Sequence, residues 1–377
     1  MKVSESTRSI TAAVVRDKGG PFRLEAATID APVGDEVLVR IVAAGMCHSD
    51  LVIRDQIYAV PHPIVLGHEG AGIVEAVGER VTKLAVGDHV VLTFASCGEC
   101  RACLTGVAAG CERFNALNLS GARTDGSHAL HGNGHGGPLS DRFFGQSSFG
   151  TYAIATQRNA IKVRKDAPLD ILGPLGCGIQ TGAGTAINAL KVGVGSSFAA
   201  FGGGAVGLSA AMGARVAGAT TVIVVDVVQS RLELALEVGA THVVNAREQE
   251  PVKAVRKITG GGVDYSMDST ARADVVRQAI SALRAHGTCA VVGLSAPGTD
   301  LTCDINDLLV NGKGIRGVVE GDSAPDFFIP HLVDLYMQGR FPFDKLVRFY
   351  DFEAINEAAA DSEKGSTIKP ILRMGAG

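Results

Sequence analysis

One short segment, Gly202-Gly203-Gly204-Ala205-Val206-Gly207, constrains this 377-residue chain more than any other. A G-x-G-x-x-G spacing means little alone, but here an apolar run, Ser197-Phe198-Ala199-Ala200-Phe201, leads into it. A helix-like stretch from Val206 to Ala217 follows, and then a second apolar run, Thr221-Val222-Ile223-Val224-Val225, ends at Asp226. Strand, glycine loop, helix, strand and acidic residue in that order form a dinucleotide-binding unit. Gly202 makes the tight turn, Gly204 lets the backbone approach a pyrophosphate, and Gly207 packs helix against strand. The diphosphate then sits over a helix N-terminus, whose unpaired N–H groups and dipole favour negative charge. Asp226 would accept hydrogen bonds from the adenosine ribose and repel a 2′-phosphate, so the expected cofactor is NAD rather than NADP.

The surrounding sequence keeps the same rhythm. Helices are expected at 230–238 and 273–285, and strands at 241–244, 263–267 and 288–294. Apolar strands alternating with helices give a parallel sheet buried on both faces, a doubly wound α/β domain. Before it, Glu36–Val42, Gly72–Gly78 and Asp88–Leu92 alternate with period two between glycine turns, which reads as an antiparallel, barrel-like β domain. Residues 97–150 read as loop, with 125–138 (DGSHALHGNGHGGP) as an exposed excursion whose three histidines are solvated rather than metal-bound. Near the C-terminus Asp351 is a candidate N-cap for a helix running to Ala360.

Several function classes fall away on composition. A net charge of -4 supplies no electrostatic grip on nucleic acid or on an anionic membrane. The charge-free run Val192–Ala214 is long enough to cross a bilayer, but the glycine loop interrupts it, so no membrane span is expected. The first sixteen residues carry charges throughout and show no secretory pattern, so a cytoplasmic location is expected. Eight cysteines are too few for a disulfide scaffold of this length, and their spacing must explain them.

Four of them, Cys97, Cys100, Cys103 and Cys111, follow C-x2-C-x2-C-x7-C. That suits a closed tetrahedral four-sulfur site, which zinc prefers. An iron–sulfur cluster is the rival; bacterial cluster motifs place Pro after the last Cys, whereas Glu112 follows here. Cys47, His68 and Cys177 are dispersed, each beside glycines. Two Cys and one His leave the fourth position of a zinc ion open, as catalysis requires.

The run Gly67-His68-Glu69-x-x-Gly72-x5-Gly78-x-x-Val81 resembles the signature of zinc-containing medium-chain alcohol dehydrogenases at every position. With the four-cysteine lobe, Cys177 and the glycine loop in order, the resemblance spans essentially the whole chain. The stretches from Cys47 to Gln56 and from Gly176 to Gly184 are similar to bacterial aryl-alcohol (benzyl alcohol) dehydrogenases. Geraniol and perillyl alcohol dehydrogenases share much of this pattern. The resemblance implies a GroES-like catalytic domain over residues 1–178 and 322–377, and an NAD-binding Rossmann domain over 179–321. It implies two zinc ions per chain, a small alcohol or aldehyde as partner, and a homodimer or homotetramer.

By the same resemblance Cys47, His68 and Cys177 hold the catalytic zinc, with Asp50 and Glu69 behind them. Ser49 would accept the alcohol proton. His48 and Lys369 would meet the pyrophosphate, Arg231 the adenosine and Val292 the nicotinamide. Phe94, Phe143 and Phe144 would line the cleft for a flat aromatic or allylic alcohol. Val52 stands where better-known members have a histidine that ends the proton relay. Asn115, where glutathione-dependent formaldehyde dehydrogenases carry Arg, speaks against that subgroup. A terpene alcohol substrate is the nearer alternative. A zinc-less quinone reductase relative or a non-catalytic NAD-binding sensor would be expected to lack some of the three zinc ligands.

Overall fold

The computed structural model of the chain describes residues 7–132 and 137–375. They form two compact units. One comprises Met1–Cys177, Ala324–Asp334 and Leu346–Gly377, the other Gly178–Ser323 and Leu335–Lys345. The short segment Leu335–Lys345, expected with the catalytic part, thus groups with the nucleotide-binding part.

The second unit carries a six-stranded, wholly parallel sheet built from β1 (Ser197–Phe201), β2 (Thr221–Asp226), β3 (His242–Asn245), β4 (Val263–Asp268), β5 (Leu283–Val291) and β6 (Gly314–Gly317). Their order, β3-β2-β1-β4-β5-β6, is that of two mononucleotide-binding halves meeting between β1 and β4. Phe198, Ala199, Ala200 and Phe201 are all fully buried, as expected of a strand covered on both faces. The helix expected over 273–285 ends at Ser281, and β5 begins at Leu283 rather than Thr288. Leu283 is drawn into the sheet opposite Val263, and the pairing is irregular before it resumes at Tyr265 and Thr288. Burial of Leu283 outweighs the helical preference of the Leu-Arg-Ala run.

The first unit is mostly antiparallel β, as the alternating pattern suggests. Its central strand, Glu36–Gly45, pairs with Glu69–Val77, Tyr152–Thr156 and Lys369–Arg373. A second sheet joins Ile64–Val65, Arg8–Val15, Arg23–Ile29 and Leu130–Gly132. The core of this unit gathers Val14, Val37, Val39, Leu66, Phe143 and Phe149. The excursion at 125–138 is therefore not wholly exposed: Ala129 and Leu130 are buried, and His131 pairs with Thr28. Its third histidine, His135, lies outside the described residues. Asp351 caps no helix with its side chain; a short 3-10 turn, Phe352–Ala354, intervenes before the helix Ile355–Lys364. Among the described residues no helix is long and apolar enough to cross a membrane.

Candidate active site

Three elements of the first unit bring Cys47, His68 and Cys177 together. Cys47 caps the helix His48–Arg54, and its backbone N–H donates to Asp50 Oδ2 at 2.9 Å. His68 immediately precedes the strand Glu69–Val77, and Gly67 before it has φ +90 where a Cβ would strike Phe149. Cys177 ends the turn Gly173–Gly176, whose last carbonyl accepts from Thr93 Oγ1 at 2.6 Å. One ligand atom each from Cys47, His68, Glu69 and Cys177 lies within 4.8 Å of all the others.

The donor set fits a zinc ion. Asp50 Oδ1 holds His68 Nδ1 at 2.9 Å and also accepts from Gly67 N at 3.0 Å, which fixes the ring's orientation and leaves Nε2 for a metal. His68 Nε2 is buried and makes no hydrogen bond, a costly state for such an atom unless something ligates it. Hydrogen bonding with Cys177, together with Lys369 and His68, holds the Cys47 thiol well below its usual pKa despite burial. Burial alone would disfavour a charged His68, but Asp50 and Cys47 outweigh it and raise the ring's pKa. Metal binding must therefore displace a proton from His68.

The other cluster lies in the loop between Leu92 and Tyr152, which is less irregular than expected, with short helices at Arg101–Leu104 and Phe114–Asn118. The ligand atoms of Cys97, Cys100, Cys103 and Cys111 again lie within 4.8 Å of one another. Cys97 Sγ and Cys103 Sγ are 3.9 Å apart, against about 3.8 Å for the edge of a tetrahedron with Zn–S near 2.3 Å. Among the described residues these are the two groups of three or more possible metal ligands.

In the second unit Gly202 has φ +107, and a Cβ at Gly207 would collide with the carbonyl oxygen of Gly202. A Cβ at Gly204, at the N-terminus of the helix Ala205–Val216, would meet nothing within 4 Å. These are the separate demands of tight turn, close packing and open approach to a ligand. Asp226 Oδ2 accepts from Gly203 N at 2.6 Å, and Oδ1 from the N–H groups of Val227 and Val228 at 2.7 and 2.8 Å. The acid is thereby fixed at the end of β2, with Arg231 Nη1 3.9 Å away. Val292 directly follows β5, and its N–H donates to Asp268 O.

The remaining sequence-predicted residues divide. His48 is exposed on the first turn of its helix, and Ser49 Oγ lies 3.9 Å from Cys47 Sγ. Val52 is buried. Lys369 does not present its charge to solvent: it is 2% exposed, and Nζ bonds both Glu69 oxygens at 2.8 and 2.9 Å. Phe94 and Phe143 are buried; Phe143 packs edge-on against the His68 ring, centroids 5.1 Å apart, and Phe94 packs with Ala108 and Ala109 of the lobe. Phe144 alone of the three stays half-buried, with φ +51 and its ring 4.6 Å from that of His68. One contributor was missed. Gln146, buried in the loop after Phe144, donates to His68 O at 2.9 Å and accepts from Gly70 N at 3.2 Å. A lone glutamine in a loop gives no sequence signal.

Residues 34–165 match the alcohol dehydrogenase GroES-like domain family, and residues 205–335 match the zinc-binding dehydrogenase family. Geraniol dehydrogenase of Castellaniella defragrans is 50% identical over 366 residues, 97% of each chain. The crystal structure of benzyl alcohol dehydrogenase from Acinetobacter calcoaceticus is 55% identical with a TM-score of 0.95, covering 98% of this chain and 100% of that one. An alcohol dehydrogenase zinc-binding domain protein from Burkholderia ambifaria is 60% identical, with a TM-score of 0.97 over 98% of this chain and 100% of that one. With its ligand sets, its parallel nucleotide-binding sheet and these relatives, the chain belongs to the zinc-containing medium-chain alcohol dehydrogenases.

Proposed function

We propose that this chain oxidises a primary alcohol whose carbinol carbon adjoins a π system, aromatic or allylic, to the aldehyde, with NAD as hydride acceptor. The carrying observation is the convergence of half-buried Cys47 with buried His68 and Cys177, in which His68 Nε2 makes no hydrogen bond. Bound zinc would lower the pKa of a coordinated hydroxyl toward neutrality, and NAD would take the hydride. The residues do the rest. Asp50 keeps the His68 ring in one tautomer, and Ser49 takes the proton from the alcohol. Asp226 takes the adenosine ribose hydroxyls, with Arg231 beside it and His48 on the diphosphate. Val292 meets the nicotinamide end, and a second zinc sits in the cysteine lobe.

The substrate class rests on what the named relatives share. Benzyl alcohol and geraniol both carry a CH2OH group on an sp2 carbon, so hydride loss gives a conjugated aldehyde in either case. Phe144, tilted against His68, offers a flat apolar face for such a group. Following NADH absorbance with benzyl alcohol, geraniol and ethanol tests this. The first two should exceed ethanol in kcat/KM by at least about tenfold, roughly the discrimination expected of an apolar pocket. A preference for ethanol would end the proposal, and a strong preference between the first two would choose an aryl or a terpene substrate.

The proposed assembly is a homodimer or homotetramer. Ile305, Leu309 and Val310 are all more than 70% exposed on the helix Ile305–Asn311, next in the chain to the edge strand β6. Apolar groups clustered in this way mark a contact surface. A Leu309→Glu variant should sediment as a smaller species than the wild type.

A further inference from the structure

The parallel sheet of the second unit divides a dinucleotide between two halves. The glycine loop and Asp226 fit the adenosine half over β1–β3, which leaves β4–β6 for the nicotinamide mononucleotide. The nicotinamide ring is the part whose charge changes, cationic when oxidised and neutral when reduced. A fixed charge at the carboxyl edge of β4–β6 therefore acts differently on the two forms. Asp268 ends β4, but its oxygens accept from Thr270 N, Thr270 Oγ1 and Ala271 N of the turn that follows. Glu320 lies three residues beyond β6, just after Val318, whose N–H extends the ladder by donating to Val291 O at 3.1 Å.

Glu320 is held there against its backbone preference. Glu320, Gly321 and Asp322 have φ +48, +65 and +47, a left-handed run that strains its two non-glycine residues. Packing imposes the run. A Cβ at Gly321 would strike the carbonyl oxygen of Gln180, and one at Gly184 would strike that of Gly321, so the turn lies hard against the helix Gly178–Gly184. Asp322 pairs with Arg316, whose Nη1 also donates to Ala189 O at 2.8 Å. The Glu320 side chain stays 6% exposed, with Oε2 accepting from Gln180 Nε2 at 3.4 Å and Thr181 Oγ1 at 3.3 Å. Ser323 Oγ in turn donates to Gln180 Oε1 at 2.9 Å. Gln180, Thr181 and Ser323 are neutral, so they orient the carboxylate without offsetting its charge. We infer that Glu320 is a specificity-determining residue that shifts the balance of affinity toward the oxidised, cationic dinucleotide and away from the reduced one. Such a bias favours loading of the oxidant and release of the reduced product. It rests on the NAD-dehydrogenase reading above.

The test measures equilibrium binding to the full-length protein, without turnover. NADH is titrated by its own fluorescence, on which no Trp of this chain intrudes, and oxidised NAD by competition against it. Glu320→Gln keeps the shape and an acceptor for Thr181 but removes the charge. Its Kd for oxidised NAD should rise at least about tenfold, while that for NADH changes by less than about twofold. Asp226→Asn, in the adenosine half, should instead weaken both forms by the same factor. If the two Kd values of Glu320→Gln move together, or neither moves, the inference is wrong. Should that variant not fold, Glu320→Gly removes the same charge and relaxes the left-handed backbone, so the same change in ratio is expected of it. An unchanged ratio in Glu320→Gly overturns the inference as well. A wild-type protein that binds neither dinucleotide would undo the NAD-dehydrogenase reading, and this inference with it.

Discussion

The two groups of possible metal ligands in this chain are assembled in opposite ways. The lobe takes four sulfurs from the fifteen residues Cys97 to Cys111, and three of the four cysteines are only half-buried. The other set draws on positions 47, 68 and 177 and is enclosed by Asp50, Glu69, Lys369 and Gln146, all buried. In the lobe the metal would organise the chain, since short helices and a 3-10 turn cannot bury much apolar surface. In the dispersed site the sheets and the turns beside them bring the ligands together. A closed shell serves folding, and an open one serves chemistry.

That contrast predicts which losses are chemical and which are structural. Cys177→Ser should cost alcohol oxidation at least about a thousandfold, since the metal's activation of the hydroxyl goes with it. One of two zincs should disappear from metal analysis, while the thermal midpoint moves little. A Cys177→Ser chain that unfolds outright would mean that the dispersed site also holds the fold together. Cys103→Ser should do the reverse. Losing a structural zinc removes several kcal/mol of folding free energy, so the melting midpoint should drop by about ten degrees or more. Activity should fall only with the folded fraction.

How legible each region was follows from the same difference. The lobe is written in consecutive residues, and so is the glycine loop, where Gly202, Gly204 and Gly207 each answer a separate local demand. No local spacing joins the candidate ligands at 47, 68 and 177, which were grouped by residue type and placed on one metal by resemblance. The Glu69–Lys369 pair was invisible because strand register, not sequence distance, sets it. The aromatic rings are harder to read, because the core competes for the same side chains: Phe94 and Phe143 are buried and Phe144 is half-buried. Leu283 shows the same competition, ending a helix early to fill the parallel sheet.

A smaller effect probes the enclosure of the dispersed site. Asp50→Asn keeps the shape beside His68 Nδ1 but removes the charge and can offer the ring an N–H where an acceptor is needed. Metal affinity or kcat/KM should fall about 10- to 100-fold, the usual cost of losing such a partner. Chelator titration would check it. An unchanged affinity would show that the fixed backbone at His68, to which Gln146 bonds, suffices to orient the ring.

The smallest effect lies inside the lobe, among four cysteines that look equivalent in the sequence. Backbone N–H groups of Cys103 and Glu112 point at Cys100 Sγ and draw its pKa down to about 6. Burial pushes Cys111 up to about 11. Above pH 6 Cys100 is therefore mostly thiolate, while Cys111 remains a thiol through neutrality. A low-pKa thiolate is the weaker nucleophile, with a Brønsted slope near 0.4–0.5, which offsets about half of the logarithmic advantage in ionised fraction. At pH 7 iodoacetamide should still alkylate Cys100 roughly a hundredfold faster than Cys111, before the lower accessibility of Cys111 is counted. The Cys100 rate should rise with pH through a midpoint near 6 and then level off, and added zinc should suppress it. Equal rates at the two positions, resolved by peptide mass mapping, would mean that the lobe collapses once its metal is removed. It would then be ordered by the ion alone, which is the sharpest form of its contrast with the site at Cys47.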